Sequence, residues 1–122
     1  MSKIFLLMLL CHIIDDFVLQ SICLVKLKQQ EWWELNAPDL KYKNDYKAIL
    51  LIHALSWAIM INLPLFFSVS DLAICISVIV NGAIHYIVDD LKENKHKINL
   101  QIDQSIHLFQ IFITWVLLTI IM

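Results

Sequence analysis

The stretch LAICISVIVNGAIHYIVDDL, Leu72 to Leu91, indicates which class of fold the chain adopts. It is almost entirely apolar, and a helix of about 20 residues is what crosses the hydrocarbon core of a bilayer. Asn81, His85 and Asp89 interrupt it at intervals of four, and that interval places side chains on one face of a helix. The stretch therefore predicts a transmembrane helix that carries one polar stripe.

The composition of the whole chain favours a helical membrane protein. Its 122 residues are 60% hydrophobic and 16% charged, with a mean hydropathy of +0.72. A soluble domain is nearer half apolar, with about a quarter of its residues charged. The basic residues are all Lys and the net charge is -2, which argues against a nucleic-acid partner. The three cysteines lie in apolar runs without CxxC spacing, and we expect them to be buried and reduced.

Three further segments are long and apolar enough to span a bilayer. We predict a single domain over residues 1–122, an all-α integral membrane four-helix bundle with short antiparallel connections. Ser70 and Asn99 are placed to cap the third and fourth helices. The predicted helices cover residues 4–25, 48–69, 72–91 and 100–122.

Lysine placement predicts the orientation in the membrane. Eight of the nine lysines lie in the first and third connections, and Lys3 is the other one. The positive-inside rule then places both lysine-bearing loops in the cytoplasm and both termini outside the inner (cytoplasmic) membrane. The lipid bilayer is the partner that this prediction implies, and the oligomeric state stays open.

Polar residues with the same spacing recur inside the other predicted helices. They are His12, Asp16 and Gln20 in the first, His53 in the second, and Asp103 and His107 in the fourth. Counted at about 1.5 Å per residue from the predicted cytoplasmic ends, the carboxylates and imidazoles of the last three helices lie at similar depths. We therefore expect one buried cluster in the cytoplasmic half of the bundle.

A metal ion would explain why the bilayer tolerates this cluster. Each ionisable residue near the membrane centre costs about 2.5–3.5 kcal/mol on an insertion scale. A divalent ion offsets this, since it neutralises carboxylates and binds neutral imidazole, and mixed His/Asp ligands suit Zn, Mn or Fe. A metal-free proton relay and a purely structural polar core are the alternatives. The predicted ligands, for one or two ions, are His12, Asp16, His53, His85, Asp89, Asp103 and His107.

The blocks HIIDDFVLQ, IHALSW, HYIVDDLK and DQSIH together resemble a family of small phage and bacterial membrane proteins, domain of unknown function 3307. All four blocks occur in the family's order, although Ser56 or Trp57 stands where a second histidine is sometimes expected. The motifs are similar in style to those of membrane-bound metal-dependent hydrolases. The resemblance implies a polar site at these blocks, and it implies a substrate only weakly.

Hydrolysis is the first function we consider. A bound metal would bring the pKa of a water toward neutrality, and a carboxylate outside the ligand set, Asp15 or Asp103, would take its proton. Lys92 is placed to pair with a phosphate oxygen, or else to anchor the helix at the membrane surface. Gln20 and Gln104 are placed to position water or substrate. The expected substrate is a phosphoester or amide, either of an inner-leaflet lipid or of a small cytosolic phosphate compound.

Two other classes of function stay open. A divalent-metal or proton transporter would use the same polar cluster, although the segment after Gln110 offers few polar residues for a path. A phage membrane interaction protein, such as a holin-like or exclusion factor, would explain the small size but not the cluster. Replacing His85 would abolish the first two activities and leave the third intact.

Overall fold

The computed structural model describes residues 3–121, and this part of the chain is helical without any strand. Long helices are separated by short connections, and the longest connection carries two short helices and a 3₁₀ turn. The elements are α1 (Lys3–Ile13), which continues into a π-helical segment (Ile14–Leu19), α2 (Ile22–Leu27), α3 (Gln30–Asn36), a 3₁₀ turn (Leu40–Tyr42), α4 (Asp45–Asn62), a 3₁₀ turn (Leu63–Leu65), α5 (Asp71–Glu93) and α6 (Leu100–Ile120).

The last three long helices lie close to their predicted positions. Both predicted N-caps form: the Ser70 hydroxyl accepts from the backbone N–H of Ala73, and the Asn99 side chain accepts from that of Ile102. Helix α4 ends at Asn62 rather than at residue 69, with Pro64 inside the following 3₁₀ turn. Proline removes a backbone donor, so the regular α-helix cannot continue through it.

The predicted first helix over residues 4–25 is wrong as a single element. The α-helix ends at Ile13, a π-helical segment follows, and the backbone is extended at Gln20 and Ser21. Ser21 then caps α2, because its hydroxyl accepts from the backbone N–H of Leu24. The apolar run of the sequence continues across this break, which is why hydropathy alone does not reveal it.

Three helical stretches in residues 3–121 are long and apolar enough to cross a membrane. They are Leu40–Leu65, Asp71–Glu93 and Leu100–Ile120. The first predicted span is not among them, since α1 and the π-helical segment together reach only from Lys3 to Leu19. The chain is therefore an all-helical protein with three candidate membrane spans.

The segment from Lys3 to Leu19 packs beside these three helices. It contacts α4 and α6, α4 makes its most extensive contact with α5, and α5 contacts α6. Gly82 of α5 lies against Ala54 and Ala58 of α4, and small residues at such a contact let two helices approach closely. The four helical segments thus surround a common interior.

This interior has an apolar half and a polar half. The apolar half holds fully buried Met8, Trp57, Ile61, Leu65 and Ile111. It lies toward the end of α4 and the start of α5, so the predicted polar residues lie at the other end of these helices. The packed apolar core therefore lies at one end of the interior, and the predicted polar residues lie at the other end.

The outer surface is strongly apolar. Large hydrophobic side chains such as Ile79 and Phe109 are about two-thirds exposed on α5 and α6. Cys23 and Cys75 lie on this surface too, so the expectation that the cysteines are buried is wrong for these two. Exposed apolar faces of this extent indicate that the protein meets lipid or another apolar partner.

Candidate metal centre

All seven predicted ligands converge at the polar end of the interior. His85, Asp103 and His107 have no exposed surface, and His12, His53 and Asp89 are nearly as well buried. Asp16 is partly buried, with 7% of its side chain exposed. The seven come from four helical segments: His12 and Asp16 from α1 and the π-helical segment, His53 from α4, His85 and Asp89 from α5, and Asp103 and His107 from α6. The i, i+4 spacing of the sequence correctly indicated that these residues share one face of each helix.

Two overlapping groups in this cluster lie close enough together to hold a metal ion. Asp16, His53 and His85 form the first; His85, Asp89 and His107 form the second. In each group one ligand atom per residue lies within 4.8 Å of the others. His85 belongs to both groups, so it is the centre of the cluster.

The contacts in the first group join α4 to its two neighbours. Nε2 of His53 lies 3.5 Å from Oδ1 of Asp16 and 3.3 Å from Nε2 of His85. Two imidazole nitrogens at this distance either share a proton or both point at a cation.

The second group joins α5 to α6. Oδ1 of Asp89 lies 3.8 Å from Nε2 of His85 and 3.8 Å from Nε2 of His107. These atoms are too far apart for direct hydrogen bonds, and an ion between them would contact all three.

The cluster also contains buried polar atoms that lack a hydrogen-bond partner. In residues 3–121 five such atoms occur, and all belong to this site: Asp15 Oδ2, Asp16 Oδ1, His85 Nδ1, Asp103 Oδ1 and His107 Nε2. A buried polar atom without a partner is destabilising by about 1–3 kcal/mol, so native proteins rarely leave several together. Carboxylate oxygens and imidazole nitrogens are ligand atoms for a divalent transition metal, so the residues present fit such an ion.

His12 and Asp103 lie beside the two groups. The indole N–H of Trp57 donates to Nδ1 of His12 over 2.9 Å, and an indole nitrogen can only donate. That nitrogen of His12 is therefore occupied. Oδ2 of Asp103 accepts from Nζ of Lys92 over 2.9 Å, while its Oδ1 faces Nε2 of His107 at 3.2 Å.

The π-helical segment directs two consecutive carboxylates into the interior. Adjacent residues of an α-helix differ by about 100° in direction, so a regular helix would turn one of them away. Here the backbone N–H of Gln20 bonds to the carbonyl of Asp15, five residues back, and both Asp15 and Asp16 are buried. Single π-helical turns of this kind are frequent at functional sites.

Asp15 lies behind His53. Its Oδ1 accepts from the hydroxyl of Ser56 over 2.6 Å, and its Oδ2 is 3.8 Å from Nδ1 of His53. The other ring nitrogen of His53 faces Asp16 and His85. Asp15 therefore lies behind the His53 ring without a hydrogen bond to it, and its role as a proton acceptor stays a prediction.

Lys28 is a site residue that the sequence analysis did not identify. It is fully buried, and its Nζ donates to Oδ2 of Asp89 over 2.7 Å. In the orientation that satisfies both ends of its amide, Gln20 accepts from Lys28 over 3.0 Å and donates to the backbone carbonyl of Asp16. The sequence gives little signal for this lysine, since it lies among other loop lysines that predict a cytoplasmic surface.

Lys92 and Gln104 line the approach to the cluster. Lys92 reaches Asp103 and lies 3.8 Å from Oδ1 of Asp89. Gln104 donates to Asp103 over 3.1 Å and contacts Asp16 at 3.4 Å. Both residues therefore touch carboxylates of the cluster, and their predicted roles toward a substrate stay predictions.

A cavity of about 460 Å³ lies directly against the cluster. Asp16 and Asp89 line it, together with Lys92 and with Phe17 and Leu100, two apolar side chains that are more than half exposed. A ligand in this cavity would therefore meet the carboxylates and an apolar rim at once.

Trp57 is a second residue whose position the sequence analysis did not predict. It is fully buried. Its ring stacks on His85 at 4.3 Å between centroids, and His85 stacks in turn on His107 at 4.1 Å. This stack holds two of the candidate ligands in fixed orientations.

Buried polar side chains continue from the cluster toward the apolar half. Gln110 contacts His107, Asn81 contacts Gln110 and Thr114, and Ser77 links Asn81 to Asn62. We call these residues the polar column: Gln110, Asn81, Thr114, Ser77 and Asn62. Its amides and hydroxyls bond to one another, and Asn62 is fully buried.

Comparison with known proteins adds a family and no activity. No curated protein and no solved structure shows a significant match to the chain. The family model described as "Protein of unknown function (DUF3307)" matches residues 4–122, which is nearly the whole chain. The chain therefore belongs to the DUF3307 family.

Proposed function

We propose that this protein is a membrane-embedded, metal-dependent hydrolase of the inner membrane. The observation that carries the proposal is the set of five unpartnered buried polar atoms, all within one cluster of histidines and aspartates. Such a set is destabilising unless shared protons or a bound cation satisfy it, and a metal ion can contact several of these atoms at once. Zn, Mn or Fe, as one or two ions, suits these ligands.

The proposed setting is a transmembrane four-helix bundle. The three candidate spans form three of its members, and the segment from Lys3 to Leu19 packs beside them as the fourth. The lysine-bearing connections face the cytoplasm in this arrangement, and both termini face the other side. The cluster then lies in the cytoplasmic half.

The proposed ligands are the members of the two groups. His85 is common to both, Asp16 and His53 complete one, and Asp89 and His107 complete the other. A bound divalent metal supplies Lewis acidity and an activated water. Asp15 lies behind the His53 ring, and the ring of Trp57 stacks on that of His85.

The chain's own residues prepare the site for an anionic group. Lys92 lies at the cavity beside Asp89 and Asp103. Its ammonium group can therefore leave one of these carboxylates and bind an incoming phosphate oxygen instead. Asp103 keeps one oxygen without a hydrogen-bond partner, as Asp15 and Asp16 do, and it lies outside the two ligand groups, so it can accept a proton. Gln104 bonds to both Asp16 and Asp103 and can orient a polar group between them.

The cavity supports an ester or amide of a lipid, or a small phosphate compound, as substrate. Its floor is formed by carboxylates, while Phe17 and Leu100 give its rim two exposed apolar surfaces. An amphiphile would place its head group beside Lys92 and its chain over this rim.

The test is hydrolysis by purified protein in lipid nanodiscs loaded with Zn²⁺, Mn²⁺ or Fe²⁺. Monoacylglycerol phosphate, glycerol phosphate and an N-acyl amide serve as substrates, with phosphate and fatty-acid release as readouts. We expect one metal to support turnover that His85→Ala abolishes and that the exposed-loop variant His96→Ala retains. Turnover that is equal in wild type and His85→Ala would contradict the proposal.

Transport of a divalent metal or of protons is the second candidate function. The observation that favours it is the polar column, because a path needs polar groups on both sides of the cluster. However, the column bonds to itself, and the core beyond Asn62 contains apolar residues such as Ile61 and Leu65. Uptake of a divalent metal ion or of protons into sealed vesicles by wild type, and its loss in Asn81→Leu, would favour transport over hydrolysis.

A further inference from the structure

We infer that Gln110 is a positioning residue that fixes which ring nitrogen of His107 faces the metal. This inference rests on the proposed metal centre and concerns residues outside the two ligand groups. Gln110 lies one helical turn after His107 on α6, and both side chains are buried. The contact that matters is between Oε1 of Gln110 and Nδ1 of His107, at 3.2 Å.

Asn81 determines how the Gln110 amide is oriented. Nε2 of Gln110 lies 3.2 Å from the backbone carbonyl of Asn81 and 3.3 Å from its side-chain oxygen. A backbone carbonyl can only accept, so the nitrogen end of the Gln110 amide must point toward α5. The oxygen end must then point toward His107.

The side-chain orientation of Asn81 is fixed in the same way. Its Nδ2 donates to the backbone carbonyl of Ser77 over 3.0 Å and to the hydroxyl of Thr114 over 2.9 Å. Its oxygen therefore faces Gln110 and Thr114, which both supply donors. The polar column thus has one consistent set of donors and acceptors.

The orientation of the Gln110 amide determines the tautomer of the His107 imidazole. Because the oxygen of Gln110 can only accept, Nδ1 of His107 carries the hydrogen. In the neutral ring Nε2 then has a free lone pair. That atom is buried, has no hydrogen-bond partner, and faces Asp89 and Asp103. Gln110 therefore presents Nε2 to the metal without touching the metal.

The experiment measures the tautomer of the His107 ring and, separately, the affinity of the protein for Zn²⁺. Protein labelled with ¹⁵N at histidine is studied in micelles without metal, at the alkaline end of a pH titration where the ring is neutral. The ¹⁵N shifts report which nitrogen of His107 carries hydrogen, and His107→Asn identifies its signals. Zn²⁺ affinity is then measured by competition with a chelating dye.

Three variants separate positioning from packing. Gln110→Met keeps the volume and removes the acceptor, so we expect mixed tautomers and a loss of Zn²⁺ affinity of about 10–100-fold. Gln110→Glu keeps an acceptor toward His107, so the Nδ1–H form should persist. Thr114→Val is the matched control. It removes a bond of the same column, while Gln110 keeps its bond to the backbone carbonyl of Asn81, so both readouts should stay unchanged.

Each result decides the inference. An unchanged tautomer in Gln110→Met would overturn it, and so would an Nε2–H form in wild type or in Gln110→Glu. Equal losses in Gln110→Met and Thr114→Val would show that the column acts through packing alone. If Gln110→Met does not fold, Gln110→Glu still tests the tautomer. If wild type binds none of Zn²⁺, Mn²⁺ and Fe²⁺, the proposed function fails, while the tautomer comparison remains decisive for Gln110.

Discussion

Lys28 and Asp89 form the closest ion pair of the site. Their atoms lie 2.7 Å apart, and both side chains are almost completely excluded from solvent. A buried pair contributes little relative to an apolar pair, but removing one partner leaves an uncompensated charge. The effect of a substitution at Lys28 therefore depends on what remains near Asp89.

We predict that Lys28→Met lowers the free energy of unfolding by about 3 kcal/mol, the lower end for a broken buried pair. The loss stays at that end because Lys92 remains 3.8 Å from Asp89. The exposed neighbour provides the control, and Lys26→Met should change stability by less than about 0.5 kcal/mol. Denaturant titration in detergent measures both, and equal stabilities for the two variants would show that the pair contributes nothing.

The π-helical segment brings the side chains of Asp15 and Asp16 into the interior together. Its additional residue widens one turn, and the hydrogen bond from Gln20 to Asp15 closes it. Val18 lies within this turn and is 70% exposed, so its side chain makes little packing contact. Val18 is thus a position where backbone length can be changed with little effect on the core.

Deleting Val18 should restore regular α-helical hydrogen bonding and turn one of the two carboxylates away from the cluster. We expect the deletion variant to remain helical by circular dichroism and to lose metal binding. Val18→Ala retains the chain length and should bind metal as wild type does. Full metal binding by the deletion variant would contradict the role given to this segment.

Short-range sequence patterns predicted the starts of α5 and α6 and the polar faces of the long helices. The Ser70 and Asn99 caps and the i, i+4 pairs depend on contacts within one helix, so the sequence contains them. The break at Gln20 and the burial of Lys28 depend on packing between segments far apart in the chain. The pair of Lys28 and Asp89 joins residues 61 positions apart, which no local pattern can indicate.

In the proposed orientation, both lysine-bearing connections of the molecule lie on the same side of the membrane. Phe67, between α4 and α5, is fully exposed and lies on the opposite side from Lys97. Both positions are accessible on the surface, so each can carry a single reporter cysteine.

In a background without the three native cysteines, we expect Phe67→Cys to react with an impermeant maleimide in intact cells. Lys97→Cys should react only after the membrane is opened. A cysteine variant of exposed Leu108, in the middle of the apolar surface of α6, should react poorly in both states. Labelling of Lys97→Cys in intact cells would show that the orientation is reversed.

The buried cluster of histidines and aspartates is proposed to bind a transition metal, and elemental mass spectrometry of the detergent-purified protein measures that metal. We predict one or two equivalents of Zn, Mn or Fe in wild type and in His96→Ala, and none in the double variant His85→Ala, Asp89→Asn. His85 is common to both ligand groups, so this double variant impairs each of them. An absence of metal from wild type after reconstitution, or equal metal in the double variant, would contradict the account.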